Sequence, residues 1–225
     1  MTTTPDLSGY HAVHTALRRG THALAMAAAD LDLADPRRAR AFARYWKGFE
    51  GEVLAHHLIE DDICFPALVE RVPVAAELIA RTDADHHRLD ELMDAVRGDV
   101  AEVAAGRPTP ALAADLAELD ELMHRHLGFE DDDILPLFDR HFSAEEWDEL
   151  DAQAAKALGV SKQAAFTVPW VASLLDPDVR DELFHTAPLP FRVIYLVFRR
   201  SHARLATQAL GRHAVPQGEL PAVRR

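Results

Sequence analysis

The sequence holds one cysteine and ten glycines in 225 residues, and it lacks the alternating Val, Ile and Thr runs and turn dipeptides that mark β-structure. A single cysteine excludes a disulfide framework and any four-cysteine zinc site. The longest apolar runs fall well short of the ~20 residues that a membrane span requires. The N-terminal MTTTPDLSGY has neither the charged nor the apolar region of a signal peptide, so the expected location is the cytoplasm. Lysine is scarce as well. Three Lys against twenty-one Arg, beside thirty-nine Ala, fit a GC-rich bacterial genome and carry no message about arginine chemistry. Positive charge is short overall, and a net charge of −13 argues against nucleic acid as a partner. The imbalance is uneven: residues 186–225 hold seven Arg against one Glu, a net +6, which leaves −19 on residues 1–185.

What is present is helix. Hydrophobic residues make up 48% of the chain, enough for a substantial core, and breakers divide the first 140 residues into four stretches with apolar residues alternately three and four apart. The first seam is Leu7, Tyr10, His14, Leu17, Thr21, Leu24, Ala28 and Leu31. Asp35 and Pro36 then supply an N-cap and a first-turn proline. The second seam is Phe42, Trp46, Phe49, Val53, His56, Glu60, Ile63 and Ala67, and the third runs Ile79, Thr82, His86, Leu89, Met93, Val96, Val100 and Val103. The fourth is Leu112, Leu116, Leu119, Met123, His126, Glu130, Asp133 and Leu137. An all-α, up-down-up-down four-helix bundle over residues 1–140 is the expected fold. A helical C-terminal extension over 141–210 and a flexible tail over 211–225 should follow.

Each seam carries one histidine, and in the second and fourth a glutamate follows four residues later on the same face. His14 and His56 lie at nearly equal distances from the turn near residue 34. The same holds for Glu60 and His86 about the turn near 73, and for His86 and His126 about the turn near 107. At a rise of about 1.5 Å per residue, an up-and-down bundle brings all six side chains to one height. Burying two carboxylates and four imidazoles costs several kcal/mol unless they are paired or bound to metal. Imidazole and carboxylate suit iron, manganese and zinc, and six ligands with two potential bridges suit two cations better than one. Without soft thiolates, a di-iron centre is the expected cofactor, and zinc, usually four-coordinate, fits less well. The segments HHLIEDDICFP and HLGFEDDDILP, 70 residues apart, both read HxxxEDxxxxP, as a pseudo-symmetric dinuclear site would require.

These marks together resemble the hemerythrin family in its bacterial, HHE cation-binding form. They are the first-helix histidine in VHTALRR, HxxxE at His56 and Glu60, DHHRLDEL around His86, and HxxxE at His126 and Glu130, within residues 7–140. The resemblance implies a non-haem di-iron site in which Glu60 and Glu130 bridge and His14, His56, His86 and His126 are terminal ligands. It also implies a protein that binds or senses oxygen, nitric oxide or iron, with peroxide chemistry or use of oxygen on an organic substrate as the runner-up. A bundle that its metal merely stabilises is the third reading. Two departures stand out. The oxygen-carrying members have a fifth histidine from HxxxH on the third helix, whereas here Asp90 stands four residues after His86. They also have HxxxxD on the fourth, where this chain offers Glu130 one place earlier. The missing imidazole leaves a position that is open, water-filled, or taken by Asp90 or Asp83.

Flanking residues read more plainly. His11, His57, His87 and His124 lie beside the ligand face and are expected on the surface or just behind the ligands, and His22 is expected in the core. Most of Asp61, Asp62, Asp131, Asp132 and Asp133 are expected in a solvated acidic rim, and Cys64 reads as a small buried filler. Glu121 and His124 form a single ExxH pair off the seam, where a ferritin-like site needs two. Beyond 140, Ser143 to Glu146 makes a capping box, two short helices follow, and FRVIYLVFRRSHARLATQAL forms a last amphipathic helix. That helix packs on the bundle or, as FRVIYLVF next to RRSHAR suggests, meets a membrane surface or a protein partner.

Overall fold

Four helical rods account for residues 8–141 of the computed structural model, which describes residues 4–158 and 163–214 and shows no strand among them. The first rod is α1 (Ser8–Ala29). The second is α2 (Pro36–Ile59), whose N-cap Asp35 accepts from the amides of Arg37 and Arg38, and it continues through a π-helical turn at Glu60–Cys64 into α3 (Phe65–Arg71). The third is α4 (Ala76–Ala104). The fourth is α5 (Leu112–Phe129), which passes through a second π turn at Glu130–Ile134 into α6 (Leu135–His141). Short connections force neighbouring rods antiparallel, the up-and-down order expected from the seams.

The two π turns correct the expected seams. Pro66 and Pro136 have no N–H for an ordinary α-helical bond, and each ring would collide with the carbonyl four residues back. The chain widens instead, so that the amide of Phe65 reaches the carbonyl of Glu60 and that of Leu135 reaches Glu130. One residue is thereby added to the turn and the face rotates. Cys64 and Leu68, not Ile63 and Ala67, are buried in the second rod, and Ile134 and Phe138 replace Asp133 and Leu137 in the fourth. Such insertions gather at functional sites, and both of these begin at a seam glutamate.

The C-terminal extension comprises α7 (Ala144–Leu158), α8 (Ala164–Leu174), α9 (Pro177–Thr186) and α10 (Leu189–Leu210). The capping box forms, with Ser143 N–H donating to Glu146 Oε2 at 2.8 Å and Glu146 N–H donating to Ser143 Oγ at 3.3 Å. α1 packs mainly on α5, and α2 on α10 and α4, while α1 and α2 scarcely touch because α8 lies between them. Gly20 and Gly48 make room for it: a Cβ at Gly20 would stand 2.7 Å from the Trp170 ring, and one at Gly48 would collide with Phe166. Trp170 is fully buried, and its indole N–H donates to the Tyr45 hydroxyl at 3.1 Å. The C-terminal half of α10 covers α2 and α8, and Gly211–His213 make a single 3₁₀ turn in which Arg212 and His213 each approach Asp30 at 3.1 Å. Most of the expected tail, 215–225, lies outside the described residues. Among the described residues no helix is long and apolar enough to cross a membrane.

Candidate metal centre

The six seam residues meet. His14, His56, Glu60, His86, His126 and Glu130 are all buried, each less than a tenth exposed. His56 Nε2 lies 3.2 Å from Glu60 Oε1, and His14 Nε2 lies 3.5 Å from Glu130 Oε2. On the other side, His86 Nε2 is 3.4 Å from Glu60 Oε2 and His126 Nε2 is 3.5 Å from Glu130 Oε1. The donor atoms form two overlapping sets, His14, His56, Glu60 and Glu130, and His86, His126, Glu60 and Glu130, with the atoms of each set within 4.8 Å of one another. Both glutamates belong to both sets. The Nε2 atoms of all four histidines, both Glu130 oxygens and Glu60 Oε2 are buried without a hydrogen-bond partner. Polar atoms left bare in this way cost free energy that a bound cation would recover, so the residues fit a metal.

Their titration agrees with a site starved of charge compensation. Burial holds His56 well below its usual range despite the pull of Glu60, and burial, with His86 next, drops His126 to about 2. Burial alone would raise Glu60, but His56 and His86 outweigh it and lower it. Burial together with Glu60 pushes Glu130 well up, because two carboxylates in one dry space cannot both ionise easily. Burial would also lower His86, yet the hydrogen bond to Asp61 and the charge of Glu60 lift it to about 9.

A fifth imidazole joins them. His57 was expected to be peripheral, but it is buried, stacks on His86 with ring centroids 3.9 Å apart, and forms a third potential donor set with His86 and His126. Neither of its ring nitrogens has a hydrogen-bond partner. Asp83 and Asp90, the other candidates for the missing position, belong to none of these sets, and both are exposed. The signal was legible in part: in HHLIE both histidines lie within one turn of Glu60, and His57 occupies the flank that faces α4.

The acidic rim also needs correction. His14 Nδ1 lies 2.8 Å from Asp131 Oδ1, and His86 Nδ1 lies 3.0 Å from Asp61 Oδ1. In each ED pair the glutamate enters the site and the aspartate accepts from a histidine of a neighbouring rod. This fixes the ring and leaves Nε2 free to face inward. Asp131 also pairs with Arg18. Asp61 is exposed all the same, as are Asp62, Asp132 and Asp133, so most of the rim is solvated as expected. Tyr10, one turn before His14, donates its hydroxyl to Glu60 Oε1. His22 is not in the core as expected: it lies on the surface 2.9 Å from Asp120, because Thr21 holds the seam position beside it. His11, His87 and His124 are exposed. Cys64 is buried, with its thiol pushed up to about 12 by burial, and it belongs to none of the donor sets.

No match was found among curated proteins or among solved structures. The model of the hemerythrin HHE cation-binding domain matches residues 7–138, the span of the four rods and of every donor described above. The chain belongs to the hemerythrin HHE cation-binding family.

Proposed function

We propose that this chain holds two iron ions between its four rods and uses them to bind or sense a small diatomic molecule, oxygen or nitric oxide. The observation that carries this reading is the sharing of Glu60 and Glu130 by two separate donor sets, since a carboxylate offers one oxygen to each of two cations and offsets their repulsion. Oxygen and nitrogen donors without thiolate suit iron, and bound iron would supply an open coordination position for the small ligand. The chain's own residues do the rest. Asp61 and Asp131 hold the rings of His86 and His14, Tyr10 orients Glu60, and the apolar rods exclude water.

With His57 the imidazoles divide unequally, two on the side of His14 and His56 and three on the side of His86 and His126. That asymmetry supports binding at one position over redox turnover at two, with the small ligand held near His14, His56 and Tyr10 in this reading.

Metal analysis and visible spectra of protein purified without oxygen test the proposal. About two irons per chain are expected. Glu60→Ala or Glu130→Ala should abolish loading of the pair, and His57→Ala should weaken one of the two sites. Iron content unchanged in both glutamate variants, or protein that takes up no iron, would overturn it.

A further inference from the structure

The N-terminal half of α10 is largely apolar, interrupted by Arg192 and Arg199, and is barely covered. Leu189 is 71% exposed, Leu196 and Val197 are 62% exposed, and Phe191, Val193 and Phe198 are also open to solvent. Side chains of this kind are normally buried, and a cluster of exposed large apolar residues marks an interaction surface. α9 lies beside it, has no fully buried residue, and meets it through Phe184 and Tyr195, with ring centroids 4.7 Å apart. Leu183 ties α9 to the main core, but the exposed apolar side chains of α10 stay unsatisfied.

The charges on its two arms are opposite. α9 carries Asp178, Asp181 and Glu182 against the single Arg180, whereas α10 carries Arg192, Arg199, Arg200 and Arg204 and no acid. An anionic lipid surface would attract α10 but repel α9 and the −19 of residues 1–185. A second hairpin of the same kind satisfies both arms at once. In a two-fold contact the acidic arm of each copy meets the basic arm of the other, and the apolar faces close between them.

We propose that the α9–α10 hairpin is a self-complementary docking surface for a second copy of this chain. The test is the mass of the full chain across a dilution series, by light scattering or sedimentation. The expected result is a dimer. Leu196→Glu with Val197→Glu should weaken it roughly 100-fold or more, with helical circular dichroism unchanged because both side chains already face solvent. Asp178→Arg with Glu182→Arg makes both arms basic, and Arg192→Glu with Arg199→Glu and Arg200→Glu makes both acidic. Each variant should be monomeric alone, and the two should associate when mixed in equal amounts. A wild-type chain that stays monomeric at every concentration, or charge variants that dimerise as well alone as when mixed, would overturn the proposal. So would wild-type monomer that sediments with phosphatidylglycerol vesicles and loses that binding in the Leu196/Val197 variant, which would assign the hairpin to lipid.

Discussion

Replacing glycine by alanine should have opposite signs at different helical glycines of this chain, according to what stands over them. In a helix interior alanine is better than glycine by about 1 kcal/mol. At Gly98 on α4 a new Cβ meets nothing within 4 Å, so Gly98→Ala should stabilise by about that amount. At Gly20 the same methyl stands 2.7 Å from Cζ2 of Trp170, and at Gly48 it lands on the Phe166 ring. Trp170 cannot swing away easily, being fully buried, packed on Phe49 and hydrogen-bonded to Tyr45. Overpacking of this kind costs about 1–3 kcal/mol. After the propensity gain, Gly20→Ala should lose up to about 2 kcal/mol. At about 2–4 °C per kcal/mol for a chain of this size, the midpoint should fall by several degrees in Gly20→Ala and rise by a few in Gly98→Ala. Thermal and urea unfolding followed by circular dichroism would read both. A Gly20→Ala or Gly48→Ala variant as stable as Gly98→Ala would refute the reasoning, because it would show that α8 does not sit in the groove between α1 and α2.

Glu130→Gln should separate folding from metal binding. Since Glu130 is already pushed toward its protonated form, the neutral amide should leave the metal-free protein at least as stable. It should also remove the metal-dependent gain, which reaches about 2.7 kcal/mol at a hundredfold excess over Kd. A large loss of midpoint in the metal-free variant would count against that account. His202 on α10 is buried beside Tyr45 and Phe166, its Nε2 has no hydrogen-bond partner, and burial lowers it from 6.5 to about 4. Its imidazole therefore stays neutral in the folded chain while the unfolded chain takes up a proton, so stability is lost as pH falls from about 6.5 to about 4. His202→Leu should flatten that stretch by up to about 3 kcal/mol, and parallel stability curves for variant and wild type would refute the assignment.

The helices, their antiparallel order and the convergence of His14, His56, Glu60, His86, His126 and Glu130 were all legible in the sequence. They depend on local quantities: a residue period, the rise per residue, the spacing of HxxxE along one face, and proline and N-cap signals at the breaks. Only the tertiary structure decided how each rod is turned about its axis and what stands opposite it. His57 is one residue from His56, and spacing alone could not tell that its flank meets His86 instead of water. Asp61 and Asp131 look like solvent-facing acids until the histidines of other rods reach them. The π turns at Glu60 and Glu130 shift the lower seams by one residue, because the conflict raised by Pro66 and Pro136 can be relieved in several ways and packing selects one. Gly20 and Gly48 carry no signal until Trp170 and Phe166 arrive from residues more than a hundred positions away. Periodicity specifies a face, but the identity of its neighbour is a long-range choice, made where burial of the whole chain is greatest.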